Sequence, residues 1–249
     1  MQVLEFDTVV IGSGLAGLTS AYYSSKFGWV AVVTKSELDT SNSYYAQGGI
    51  AAAIADDDST ELHLKDTLTA GRGLCDEDAV QLLVTEGKQR VLELIETGMI
   101  FDKQNGNYVL GLEGGHSRRR VFHAGGDATG KELTCFILNK VKEQPSVQAF
   151  EYHAVVKLIK QNDCIAGVQA IDFHTGENII FKSKAVILST GGLSRIFARS
   201  TNPHTATGDG IAMAYEAGAR IADIEFIQFH PSALYVPGKD AYLISEAVR

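Results

Sequence analysis

The stretch Val9-Val10-Ile11-Gly12-Ser13-Gly14-Leu15-Ala16-Gly17 decides the reading of the fold. It places a G-x-G-x-x-G directly behind an apolar run and directly ahead of a helical pattern. Val3 to Ile11 reads as a buried strand, and Leu15 to Phe27 as the helix that follows. In that setting Gly12 permits the tight turn and Gly14 lets a pyrophosphate approach bare backbone. Gly17 lets helix and strand pack closely. The N–H groups at the helix start then hold the phosphates. Strand, glycine turn and helix together predict a dinucleotide site.

The second half of the fingerprint departs from the usual pattern. About 20 residues on, a dinucleotide fold ends its second strand with Asp or Glu, which accepts from a ribose hydroxyl. Here the second strand, Trp29 to Val33, ends in Thr34-Lys35-Ser36, and the nearest acid, Glu37, falls too late. Either the glycines form another kind of turn or the chain belongs to a subclass that holds its ribose differently.

Composition narrows the classes. A chain of 249 residues suits one or two domains and is long enough to bury a sizeable core. The net charge of -8, with no basic cluster except Arg118-Arg119-Arg120, argues against nucleic-acid binding. Cys75, Cys135 and Cys164 are far apart and form no C-x-x-C, which suits a reducing compartment and neither a metal site nor a disulfide framework. No basic leader precedes the first strand, and no apolar run is long enough to span a membrane. These features predict a cytoplasmic protein with no membrane partner.

Along the chain, residues 36–60 read as a polar connection with Asp56-Asp57-Asp58 as a solvated turn. Thr60 to Ala70 reads as a helix. Glu77 to Glu96 is an amphipathic helix, with Val80, Leu83, Val84, Val91, Leu94 and Ile95 on its apolar side and Gly98 ending it. Gly106 to Gly126 is glycine-rich and charged, as a site loop would be, and Gly130 to Val141 is helical. The period then changes. Phe150 to Ile159, Ile165 to Phe173 and Asn178 to Phe181 read as short strands, Lys184 to Leu188 as another, and Gly208 to Ala219 as a helix.

After the second strand comes Ser41-Asn42-Ser43-Tyr44-Tyr45-Ala46-Gln47-Gly48-Gly49-Ile50-Ala51-Ala52. With the Gly-x-Gly start, this run resembles the flavoprotein family of L-aspartate oxidase, succinate dehydrogenase and fumarate reductase, and its wording is nearest the L-aspartate oxidase branch. In that branch a short polar residue and a Lys stand where the ribose acid would be, as Thr34-Lys35 do here. The resemblance implies an α/β, Rossmann-like FAD/NAD(P)-binding fold of the glutathione-reductase type, a parallel sheet with an inserted antiparallel β-meander. It implies FAD held by Gly12, Ser13, Gly14, Leu15, Ala16, Gly17 and Lys35, by Asn42 to Gly49, and by Val155, Thr190, Gly191 and Asp209. Asn42 stands where covalent members carry a flavin-linking His, which implies non-covalent FAD. Asp209, in Thr207-Gly208-Asp209-Gly210, also reads as a helix N-cap.

Two further motifs match. Leu112-Glu113-Gly114-Gly115-His116-Ser117, followed by His123-Ala124-Gly125-Gly126-Asp127-Ala128-Thr129-Gly130, implies that Glu113 handles the substrate amino group. Arg118 to Arg120 read as solvated or structural. Glu225 to Leu234, containing His230-Pro231, implies that His230 contacts a substrate carboxylate, as Ser245-Glu246 would. The implied reaction moves a hydride from the Cα of L-aspartate to flavin N5, giving iminoaspartate for NAD biosynthesis, with oxygen or fumarate reoxidising the flavin. Quinolinate synthase is the implied partner. The alternatives are a soluble fumarate reductase or succinate dehydrogenase flavoprotein and, in another class, a non-catalytic FAD-binding module. The resemblance runs unbroken to Arg249, while family members are longer. The expectation is therefore a FAD-binding domain over 1–235, lacking its closing segment, and the truncated start of a capping domain over 236–249, weakly active or inactive alone.

Overall fold

The structure, a computed structural model, describes residues 2–238 and 241–244. In chain order the elements are β1 (Gln2–Ile11), α1 (Leu15–Ser24), β2 (Val30–Val33), β3 (Ile50–Ala51), α2 (Thr60–Ala70) and α3 (Glu77–Glu96). Four two-residue strands follow: β4 (Lys103–Gln104), β5 (Asn107–Tyr108), β6 (Leu110–Gly111) and β7 (Val121–Phe122). Then come α4 (Thr129–Lys142), β8 (Val147–Phe150), β9 (His153–Gln161), β10 (Cys164–Asp172) and β11 (Asn178–Leu188). A 3-10 turn (Ser194–Ile196), α5 (Asp209–Glu216), β12 (Ala233–Leu234) and β13 (Tyr242–Leu243) complete the set. No described helix is long and apolar enough to cross a membrane.

The chain divides into two compact units, Met1–Tyr45 with Thr134–Arg249, and Ala46–Leu133. The first is built on one six-stranded mixed sheet in the order β8-β2-β1-β11-β10-β9. β8, β2, β1 and β11 run parallel, and β11, β10 and β9 antiparallel. The meander is therefore not a separate insertion. Asn178 to Leu188 forms one strand instead of the two expected, and it pairs with β10 through its first half and with β1 along nearly its whole length. Nor is Phe150 to Ile159 one strand. Phe150 closes the parallel β8, Tyr152 turns at φ 58°, and β9 starts at His153.

The central strands β1 and β2 end in fully apolar, buried runs, as a sheet covered on both faces requires. Val9, Ile11, Ala31, Val33, Val168, Ala170 and Phe181 form the core, with Met213 of α5 packed on it. On α1, Gly17, Leu18 and Ala21 are buried. That helix ends at Ser24, short of Phe27, and Phe27 is exposed.

In the second unit α2 and α3 have the ends the sequence predicts. Ser59 and Asp76 cap them by accepting from Leu62 and Ala79 N–H. Beyond α3, Gly98 takes φ 102°, and its N–H reaches the Ile95 carbonyl. Of the apolar side predicted for α3, Val80, Val84 and Val91 are buried, whereas Leu83 is exposed. The stretch Gly106–Gly126 is more than a loop, because β6 and β7 join β3 in a small antiparallel sheet. Phe101 and Tyr108 pack edgewise on Phe122.

Candidate functional site

The parallel register sets up a cleft in the first unit. Ile11 pairs with Val33 on one side and Leu188 on the other, so β1, β2 and β11 end at one level. The residues that follow, Gly12, Thr34 and Ser189, converge beyond their carboxyl ends, where open α/β sheets take ligands. Gly12 N–H donates to the Val33 carbonyl at 2.9 Å, and Ser189 N–H to the Ile11 carbonyl at 2.9 Å. Gly12 has φ 104°, and a Cβ there would strike the Ser189 carbonyl. A Cβ on Gly17 would strike the Gly12 carbonyl. These two positions demand glycine for the reasons read from the motif.

Gly14 and Ala16 line the cleft where α1 begins. Gly14 is the N-cap and has no side chain with which to cap the helix. Ser43 supplies a hydroxyl in its place, accepting from Leu15 N–H at 3.0 Å. The remaining first-turn amides and the positive end of the helix dipole suit a phosphate. A bare-backbone cradle at a helix start therefore fits the pyrophosphate of a dinucleotide.

The other end of the cleft explains the missing acid. Thr34 is buried and accepts from the Ser13 hydroxyl at 3.2 Å. Lys35 binds the Asp209 carboxylate and the Thr207 hydroxyl. Burial works against ionisation of Asp209, but the Lys35 and Thr207 hydrogen bonds outweigh it and hold its carboxyl below the usual range. Glu37 is engaged elsewhere. The Ser36 hydroxyl, then Tyr152 and Thr40, hold it at about 2, and it does not line the cleft. Asp209 is not an N-cap. Gly208, at φ 81°, takes that position, and Asp209 opens the helix with its side chain on Lys35.

Of the residues predicted to hold the cofactor, Gly12, Ser13, Gly14, Ala16, Lys35, Asn42, Ser43, Val155, Thr190, Gly191 and Asp209 line this one cleft. Leu15 contributes its amide to Ser43, and Gly17 packs behind the turn. Tyr44 and Tyr45 stack edgewise on each other in the same unit. Ala46, Gln47, Gly48 and Gly49 belong to the second unit, where a Cβ on Gly49 would strike β7. Sequence reasoning missed His153, Thr205 and Met213. Two signals were available. His153 lies two residues before Val155, on the same face of β9, and Met213 lies one helical turn after Asp209.

The second unit holds the predicted amine-handling residue. Glu113 Oε1 lies 3.4 Å from His123 Nε2, both partly exposed. The imidazole has glycines beside it, since a Cβ on Gly111 would come within 2.9 Å of Nε2 and one on Gly49 within 3.2 Å of Cε1. Asp58 is not in the solvated turn expected, and of the two readings of Arg120 the structural one holds, because both side chains are wholly buried against each other. Arg120 is bidentate to Asp58 at 2.8 Å and 2.8 Å, and reaches Asp66 at 2.7 Å. His230, in the first unit, is half-buried, with Nδ1 3.1 Å from the Ser232 carbonyl. Ser245 and Glu246 lie outside the described residues.

A sequence profile described as the FAD binding domain matches residues 7–249. The chain belongs to that family. FAD is accordingly its cofactor, and the glycine cradle is the part of the structure suited to the dinucleotide. The chain is 45% identical to L-aspartate oxidase 2-a, chloroplastic, of Nicotiana tabacum, over 98% of this chain and 40% of the relative. It is 46% identical to the L-aspartate oxidase of Streptomyces coelicolor, over 98% of this chain and 43% of the relative. Among solved structures, E. coli quinol fumarate reductase FrdA superposes with a TM-score of 0.93 at 29% identity, covering 99% of this chain and 42% of that one. Mycobacterium smegmatis Sdh1 gives 0.91 at 33%, covering 100% and 44%. The chain thus spans less than half the length of these relatives.

Proposed function

We propose that the chain binds FAD non-covalently and serves the oxidation of L-aspartate to iminoaspartate. The observation that carries the substrate choice is identity of 40–46% to proteins named L-aspartate oxidase, over 98% or more of this chain. Asn42 in the cleft supports non-covalent binding, because an amide is not a nucleophile. When bound, FAD accepts the hydride from the substrate Cα and is reoxidised by oxygen or fumarate. The roles assigned to the chain's own residues follow from their chemistry. The α1 start and Ser43 hold the pyrophosphate, and Lys35 with Asp209 and Thr34 meets the adenosine side without a ribose carboxylate. Glu113 receives the substrate ammonium and draws off its proton, and His123 keeps that carboxylate oriented. His230, Ser245 and Glu246 engage the substrate carboxylates.

The proposal reads the sheet as a glutathione-reductase-type dinucleotide domain over 1–235, with 236–249 opening a capping domain. It places the protein in a reducing compartment, the cytoplasm, on its free cysteines. The chloroplastic plant relatives supply the contrasting location. Quinolinate synthase is the proposed consumer of the product. The structural likeness to FrdA favours a second reading, a soluble fumarate reductase. Acid precipitation of the FAD-loaded chain should leave the flavin in the supernatant; flavin fixed to the polypeptide removes the non-covalent reading. Anaerobic addition of L-aspartate should bleach the flavin slowly, and peroxide should follow on admitting air. Fumarate reduction with no response to aspartate selects the second reading.

A further inference from the structure

The loop that carries Glu113 is built as a staked element. Residues 112–120 leave β6 and return to β7, and the base is closed by Arg120 N–H to the Gly111 carbonyl at 3.2 Å. The tip is a turn closed by His116 N–H to the Glu113 carbonyl at 3.2 Å, with Gly115 at φ 86°. Directly after the tip, Ser117 is tied down twice, its N–H and its hydroxyl both donating to Asp66 Oδ2 at 2.8 Å. That same oxygen accepts from Arg120 Nη1 at 2.7 Å. Three donors converge on one carboxylate oxygen, two of them from the tip side of the loop and one from its base. Arg120 is in turn immobilised by its bidentate pair with Asp58, whose Oδ1 also accepts from Ser59 N–H at the start of α2. Its Nη1 contacts His116 Nδ1 at 3.3 Å, where the imidazole has to be the acceptor because a guanidinium only donates.

The function of α2 follows from this. None of its residues is fully buried, although it packs beside α3. What it presents is His63 and Asp66, three residues apart on one face. The His63 ring lies 5.7 Å from that of His116.

We propose that Asp66 is a positioning residue for Glu113. From α2 it holds the returning limb at two places, Ser117 just after the tip and Arg120 at the base, so that the turn ahead of them projects the Glu113 carboxylate to His123. The inference rests on the reading of Glu113 as the amine-handling group. Its test is separable from that reading, because loop order is measured without turnover.

Amide exchange by nuclear magnetic resonance on the FAD-loaded chain is the measurement. Asp66→Asn should speed exchange at Ser117 about tenfold or more, the scale of a lost hydrogen bond to a charge. Exchange at Val84 and Val91 in α3 should be unchanged. The Ser117 amide proton, bonded to a carboxylate in the wild type, should move upfield in the variant. Because the anchored loop sets Glu113 against His123, Asp66→Asn should also shift the His123 imidazole resonances. Unchanged exchange at Ser117, unmoved His123 resonances, or acceleration spread equally through α3 overturns the proposal. Should Asp66→Asn fail to fold, Ser117→Ala removes one donor and leaves Arg120 paired. It should loosen His116 and residue 117 severalfold, and an unaltered loop overturns the proposal equally. Glu113→Gln bleaching with aspartate at the wild-type rate, while Asp66→Asn loosens the loop, refutes the Glu113 reading and leaves the anchor standing.

Discussion

At the scale of single side chains, burying a guanidinium is costly unless its donors find acceptors, and four contacts engage all three nitrogens of Arg120. Asp58 takes one edge and Asp66 the remaining arm. Removing the cation leaves two carboxylates facing each other without it. Arg120→Leu should therefore destabilise the fold by about 3–5 kcal/mol, read as a lower urea midpoint. Arg120→Lys should recover only part of this, because an ammonium cannot span both carboxylates. Asp66 gives a pH signature. Burial opposes its ionisation, but the Ser117 N–H and hydroxyl and the Arg120 guanidinium outweigh burial and bring it from 3.8 to about 2. A carboxyl lowered in the folded state contributes stability above its unfolded value and loses it as pH falls from about 4 to about 2. Unfolding curves of Asp66→Asn should lack that component of the acid loss, and an identical loss in variant and wild type would contradict the assignment. None of this was legible in Arg118-Arg119-Arg120 or in Asp56-Asp57-Asp58. A run of like charges reads as solvated or structural alike, and what decides for Arg120 is a partner 62 residues away in the chain.

At the scale of elements, what was legible depended on how local the determinant is. The ends of α2 and α3 agree with expectation because Ser59, Asp76 and Gly98 act on the backbone beside them. The glycine turn was equally legible, since Gly17 answers to the Gly12 carbonyl within the strand–helix unit and Gly12 takes the positive φ of the tight turn, while the Ser189 carbonyl that a Cβ on Gly12 would strike comes from beyond β11. The strands were less so. The continuity of β11 is set by pairing with β1 and β10, and the break at Tyr152 is made by a non-glycine residue at positive φ, which composition does not announce. The cleft was readable where it follows the motif, and not where His153, Thr205 and Met213 arrive from other elements. The strand–helix contact supplies a sharp test. Gly17→Ala puts a methyl into the Gly12 carbonyl, so α1 has to shift off the turn that shapes the cradle. Overpacking of this kind costs about 1–3 kcal/mol. Flavin should be lost on gel filtration while the far-ultraviolet circular dichroism stays near wild type. Full flavin retention with an unchanged melting temperature would show that the close approach is not required.

At the scale of the whole molecule, the question is which part of FAD the chain grips. The glycine cradle, the α1 dipole, Ser43 and the Lys35–Asp209 pair all belong to one unit and one cleft, and each suits the ADP half of the cofactor. Binding energy should therefore concentrate at the nucleotide end. A ligand that binds only the folded state stabilises it in proportion to the logarithm of its saturation, about 2.7 kcal/mol at a hundredfold excess over Kd. FAD at that excess should raise the melting temperature, and ADP should reproduce most of the rise. Riboflavin, which lacks the pyrophosphate and the adenosine, should reproduce little. Lys35→Met should weaken ADP and FAD alike and leave any riboflavin effect untouched. If riboflavin stabilises as well as FAD while ADP does nothing, the grip lies on the ring, and the cleft at the ends of β1, β2 and β11 is not the anchor.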